Sequence, residues 1–228
     1  MKIQNPFSKL TRFEWVLLIL SLVIVSLSSV LSPEWSILSL LTSLIGVTAL
    51  IFVAKGMAFG QLLIIIFSVL YGITSLTCAY YGEMITYLFM SAPAAVASLI
   101  AWLRNPYEET DEVRVRTYLS ARHVIWLVIL SAAVTVIFYF ILSAFNTSSL
   151  IFSTLSVTTS FFAAALTFLR SPYYALGYAA NDIVLIVLWV LATLDDVSYL
   201  PMIFCFIMFL VNDLYGYFNW RKMQKRQS

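Results

Sequence analysis

Two Asn-Asp pairs, Asn181-Asp182 and Asn212-Asp213, each stand inside an apolar run long enough to cross a membrane. A carboxylate at the centre of such a run is disfavoured by roughly 2.5–3.5 kcal/mol on insertion scales, so its presence calls for a purpose. Two chemistries suit a pair of buried carboxylates: holding a cation, or sharing a proton as the aspartic-protease dyad does. Their neighbours favour the first. Tyr178, Asp182 and Trp189 fall on one helical stripe, at i, i+4 and i+11, while Asn212, Tyr215 and Asn219 form another at i, i+3 and i+7. In an earlier run Ser68, Tyr71 and Ser75 share a face, with Gln61 nearer its start. Ring faces attract cations and stack on planar groups, and Asn, Gln and Tyr satisfy hydroxyls and amides. The set therefore fits a flat, cationic ligand. Read as interhelical glue, the same polar groups contribute about 0.6–2 kcal/mol each.

The elements that must position these residues are membrane helices. Of the 228 residues 62% are hydrophobic and only 11% charged, and the mean hydropathy is +0.95, more apolar surface than a soluble core of this size can hide. Eight spans are predicted, over 15–31, 35–53, 58–80, 84–102, 124–145, 150–169, 173–194 and 199–220. Ser32-Pro33 and Ser171-Pro172 read as N-caps followed by proline at the first helical position. The first run ends without an A-x-A site and reads as a retained helix. Cys78 and Cys205 lie in apolar runs with neither CxxC spacing nor a histidine cluster, so no disulfide, metal or cofactor is expected.

With eight spans, all 13 basic residues fall on one side of the membrane, and Glu34, Glu83, Asp195 and Asp196 fall on the other. Basic residues mark the cytoplasmic side, which predicts a multi-pass plasma-membrane protein with both termini in the cytoplasm. The same topology puts Asp182 roughly 14 Å and Asp213 roughly 11 Å from the cytoplasmic ends of their helices, at 1.5 Å per residue. No Lys or Arg stands inside a span to pair with either. The polar segment from Leu103 to His123 reads as a solvated cytoplasmic connection, with His123 packed at the interface.

A weak internal repeat organises the spans. Lys55 and Arg170 each follow the first span of a triplet, and Trp102 and Trp220 each close the third. The expected layout is an extra N-terminal helix (1–34), a first three-helix repeat (35–102), a loop and connector helix (103–149), and a second repeat with a basic tail (150–228). Such parallel repeats suit alternating access around a site near mid-membrane. Pro93 should kink the fourth span.

At Asn181-Asp182 with Trp189, and at Asn212-Asp213-Leu214-Tyr215-Gly216 closing on Asn219-Trp220 and a basic tail, the sequence resembles the PnuC family of vitamin transporters. The extra helix plus three-one-three layout extends the resemblance over nearly the whole chain. It implies an all-α membrane fold of SWEET-like architecture. It further implies uptake of nicotinamide riboside by facilitated diffusion in support of NAD biosynthesis and a homotrimer in the lipid bilayer. The helical stripes and the matched motifs together make Gln61, Tyr71, Tyr178, Asn181, Asp182, Trp189, Asn212, Asp213, Tyr215 and Asn219 the expected substrate contacts. Better-known members carry two tryptophans where this chain has Ala175 and Tyr178, so thiamine, another aromatic cation, is the alternative substrate. Two further classes stand beside the transporter. An intramembrane aspartyl protease needs a Gly-x-Gly-Asp signature that both aspartates lack, and a non-transporting scaffold leaves the repeat without a use. No nucleic-acid signature is present.

Overall fold

A computed structural model describes residues 5–32, 36–77, 81–147 and 149–228. Within them, eight helices are long and apolar enough to cross a membrane: α1 (Arg12–Val30), α2 (Ile37–Ala54), α3 (Ala58–Thr77), α4 (Gly82–Leu103), α5 (Ala121–Ala144), α6 (Leu150–Phe168), α7 (Tyr174–Asp195) and α8 (Leu200–Gln227). Pro33, Glu34 and Cys78 lie outside the described residues.

The helix ends follow local chemistry more closely than hydropathy. α1 begins at Arg12 because Thr11 and Glu14 form a reciprocal capping box: Thr11 N–H donates to the Glu14 carboxylate at 2.7 Å and Glu14 N–H to Thr11 Oγ1 at 3.3 Å. The Ser171-Pro172 cap is corrected. Ser171 Oγ accepts from Tyr173 N–H at 3.4 Å and closes a turn, and the helix opens only at Tyr174. α8 continues well past Trp220 to Gln227, with Met223 buried.

Six helices close a ring in which α2 packs on α3 and α8, α4 bridges α3 to α6, and α7 joins α6 to α8. α1 lies outside against α2 and α8, and α5 outside against α6. Two glycines permit the close approaches. A Cβ at Gly60 would lie 2.5 Å from the backbone N of Val53, and one at Gly177 would lie 2.9 Å from the Ala163 Cβ. Because backbone cannot rotate aside, Gly60→Ala should destabilise the fold by about 1–3 kcal/mol. A thermal melt in detergent checks this; a midpoint equal to the wild type would show that the α2–α3 turn gives way.

Pro93 acts through a local change of helix type. Its missing N–H and its clash with the carbonyl four residues back are absorbed by a π-helical turn over Tyr87–Ser91, in which Ala92 N–H donates to Tyr87 O, five residues back.

The basic end of the bundle carries the largest departure from expectation. The 103–123 segment is no free connection: residues 104–117 form a strap across the α2–α3 and α6–α7 turns and the end of α8. Val113 N–H donates to Gly56 O at 2.8 Å, Arg116 N–H to Arg170 O at 2.9 Å and Val115 N–H to Gln227 Oε1 at 2.7 Å. Gln224 returns a hydrogen bond to the Thr117 carbonyl at 3.1 Å, and Lys9–Asp111 and Arg226–Glu112 ion pairs pin the strap further. Val113 and Val115 are buried beside Trp102, Tyr174, Trp220 and Met223. The apolar alternation Val113-x-Val115 outweighs the charge around it. His123 is exposed, its ring held by Ser120 Oγ at 2.5 Å and Arg116 at 3.1 Å.

Above the strap sit two tryptophans, Trp102 near the end of α4 and Trp220 two turns before the end of α8. Trp102 Nε1–H donates to Thr167 O on α6 at 3.0 Å, and Trp220 Nε1–H donates to Val53 O on α2 at 2.9 Å. Their rings meet at 5.3 Å.

Candidate substrate site

The centre of the ring is a cavity to which all six helices contribute: Leu50 and Val53 from α2, Gln61, Phe67 and Ser68 from α3, Tyr87, Ser91 and Ser98 from α4, Ser160 from α6, Tyr178, Asn181 and Asp182 from α7, and Phe206, Phe209 and Asp213 from α8. Its volume is about 70 Å³. That is room for a few waters, well short of the roughly 300 Å³ at which pockets for larger ligands begin.

Asp182 and Asp213, 3% and 4% exposed, both line it, from α7 and α8. Asp182 Oδ2 and Ser68 Oγ are buried without a hydrogen-bond partner. Asn181 is oriented by α6, its Oδ1 accepting from Thr159 Oγ1 at 2.9 Å and Ser156 Oγ at 3.2 Å, and still reaches the cavity wall. No Lys, Arg or His lines the cavity, and among the described residues the ion pairs lie elsewhere.

Five of the ten predicted residues line this cavity: Gln61, Tyr178, Asn181, Asp182 and Asp213. The others stand apart, each for a physical reason. Asn212, Tyr215 and Asn219 do share one face of α8, but that face meets α1 and α2. Asn212 Nδ2 donates to Ser21 Oγ at 3.0 Å, Tyr215 OH to Glu14 Oε1 at 2.7 Å and Asn219 Nδ2 to Ala54 O at 2.8 Å. Asp213 is one residue on, rotated about 100°, and turns inward with Phe206 and Phe209. Glu14, only 1% exposed, also accepts from Lys55 Nζ at 3.0 and 3.1 Å, which binds the outer helix to the neighbouring α2 and α8. Tyr71 sits in an aromatic layer, 4.3 Å from the Tyr87 ring and 5.5 Å from Phe67.

Trp189 lies farther along the α7 stripe, its ring tilted against that of Tyr199 with centroids 5.6 Å apart. It borders a second cavity of about 440 Å³ at the acidic end of the bundle, lined also by Glu83, Asp195 and Asp196. The stripe Tyr178, Asp182, Trp189 thus runs from the inner cavity to the outer one. The polar lining residues that sequence reasoning missed are Ser160 on α6 and Tyr87, Ser91 and Ser98 on α4. On α4 the spacing of four and seven was the available signal.

A ring of membrane-length helices around a central cavity that holds two buried carboxyl side chains is an arrangement that suits a membrane transporter for a small molecule. The family described as "Nicotinamide mononucleotide transporter" matches residues 36–222, and the chain belongs to that family. It is 30% identical to the nicotinamide riboside transporter PnuC of Neisseria mucosa over 97% of this chain and 86% of that one. It is 26% identical to its namesake in Haemophilus influenzae, covering 95% and 92%. Among solved structures it is similar to that of the vitamin B3 transporter PnuC, with a TM-score of 0.81 and 29% identity over 96% of this chain and 94% of that one. The fold and the relatives are those of a membrane transporter and not of an enzyme. The paired aspartates are therefore not a protease dyad.

Proposed function

We propose that this protein takes up nicotinamide riboside by facilitated diffusion, binding it in the central cavity between the two helix triplets. One observation carries the choice of substrate. The cavity presents two carboxylates, Asp182 and Asp213, beside the rings of Phe67, Tyr87 and Tyr178, and lines its wall with no basic side chain. A pyridinium cation gains from carboxylates and ring faces. A nucleotide's phosphate would meet two carboxylates and no cation, so the riboside is favoured over the mononucleotide. Gln61, Ser68 and Asn181 are placed to serve amide and ribose hydroxyls.

The expected layout gains support from the reciprocal tryptophan bonds. Trp102 ties the last helix of the first triplet (35–102) to the first helix of the second (150–228), and Trp220 does the converse. The 1–34 helix and the 103–149 connector flank them. Gathering of the basic residues at the strapped end supports cytoplasmic termini in the plasma membrane. A homotrimer follows from the resemblance, and α5, which touches only α6 substantially, leaves most of its surface for a neighbouring copy or lipid.

Purified protein in proteoliposomes should admit labelled nicotinamide riboside without ATP, sodium or proton gradients and release it when the gradient is reversed. Entry of thiamine instead would change the substrate and keep the class. Absence of both would remove the reading.

A further inference from the structure

Charge is shared unevenly along the strap. Its first half carries Glu108, Glu109, Asp111 and Glu112, of which Asp111 holds Lys9 and Glu112 holds Arg226. Its second half, with the start of α5, carries Arg114, Arg116 and Arg122 and no acid between Val113 and His123.

The fold brings further arginines to this basic half. Arg116 N–H donates to Arg170 O at 2.9 Å and Arg170 Nη1 reaches Arg114 O at 3.5 Å, which sets the α6–α7 turn against the strap. From α8, Gln224 donates to the Arg116 carbonyl at 3.3 Å and accepts from Arg221 Nη1 at 2.6 Å. Arg114, Arg116, Arg170 and Arg221 thus gather from three separated segments, and none of the four belongs to an ion pair among the described residues. Burial, and after it the charges of Arg116 and Arg114, hold the Arg170 guanidinium below the usual arginine value. Topology alone places basic residues on one side of a membrane. It does not bring four of them together without an acid, an arrangement that like-charge repulsion opposes until an anion arrives.

The same place opens toward lipid. Arg116 Nη1 lies 3.1 Å from His123 Nε2 at the start of α5. His123, Trp126, Leu130 and Ile137 then follow at i, i+3, i+7 and i+14, all exposed on one face of that outer helix. The face runs roughly 21 Å at 1.5 Å per residue, more than the apolar depth of one leaflet, about 15 Å. Arg122 and Tyr118, also exposed, flank its polar end.

We infer that Arg114, Arg116, Arg170 and Arg221 form a binding site for the phosphate of an anionic phospholipid, whose acyl chain lies along the Trp126–Ile137 face of α5. Guanidinium groups hold phosphate by charge and by paired N–H donors. A soluble phosphate offers the same headgroup chemistry but has no use for the apolar face that continues from it. The bound headgroup joins the strap to the α6–α7 turn and to α8, and so fastens the basic end of the bundle. The site is separate from the central cavity and independent of which substrate is carried.

Native mass spectra of the full-length protein in detergent should show a tightly held phosphatidylglycerol on each protomer, and phosphatidylcholine at the same concentration should leave none. Each basic residue at an anionic lipid surface is worth about fivefold in affinity, so Arg116→Gln/Arg170→Gln should weaken phosphatidylglycerol binding by about thirtyfold. Arg12→Gln/Lys225→Gln removes as much charge elsewhere on the same end and should leave binding within about threefold, because salt screens distant charges. Equal loss in the two double variants, or equal retention of phosphatidylcholine, overturns the site. Displacement of the lipid by millimolar inorganic phosphate overturns the lipid as occupant in favour of a soluble anion. The wild type alone gives a second reading. Phosphatidylglycerol with a photoreactive acyl chain should label residues 118–137 in preference to the equally exposed apolar face of α1, and label spread evenly over both overturns the assignment.

Discussion

Asp182→Asn/Asp213→Asn should lower nicotinamide riboside uptake by at least about a hundredfold while the protein stays folded. Truncating one partner of a buried, hydrogen-bonded charge pair costs about 2–5 kcal/mol. At about 1.4 kcal/mol per decade that is roughly 30- to 4,000-fold in affinity, and here the ligand loses both anionic partners. Asparagine keeps the shape and the hydrogen-bonding capacity, so the cavity should remain intact. Stability should hold or rise, because burying carboxylates in a membrane is itself unfavourable. A thermal melt beside the uptake assay separates the two effects. Uptake within tenfold of wild type, with an unchanged melt, would place the ligand's charge somewhere other than between α7 and α8.

The second large effect concerns the tryptophans. Trp220 is wholly buried, packs on Tyr174 at 4.7 Å and donates across the ring to Val53 O. Trp220→Ala should destabilise the protein by about 3–5 kcal/mol through cavity formation. Trp220→Phe keeps most of the packing and leaves Val53 O its bond from Gly56 N–H at 2.9 Å, so it should cost only the one hydrogen bond, about 0.5–1.5 kcal/mol. Trp102 makes the corresponding bond to Thr167 O, so its variants should fall in the same order. Melting midpoints of the four single variants test this. Alanine variants no worse than the phenylalanine ones would show that packing around the indoles is loose.

The eight spans are legible in the sequence because each is an apolar run bounded by charge or turn residues, and the described structure keeps that number. The two inward aspartates are legible because a carboxylate in such a run is expensive. Which neighbour a polar stripe meets is not. Periodicity correctly groups Asn212, Tyr215 and Asn219, yet it cannot tell a central cavity from the groove where α1 lies. Glu14 is hidden for a related reason: it precedes its apolar run and reads as solvated, whereas Thr11, Lys55 and Tyr215 hold it inside. The strap is obscured by its charges, although Val113 and Val115 alternate as a half-buried strand would.

The π-turn in α4 does more than accommodate Pro93. Residues four apart on an α-helix drift by about 40° per step, so Glu83, Tyr87 and Ser91 would wander about 80° around the axis. The extra residue held in the turn cancels much of that drift. Glu83 then borders the outer cavity while Tyr87, Ser91 and Ser98 border the inner one. A single helix thereby keeps one polar seam in phase from the outer cavity to the inner one, without supercoiling.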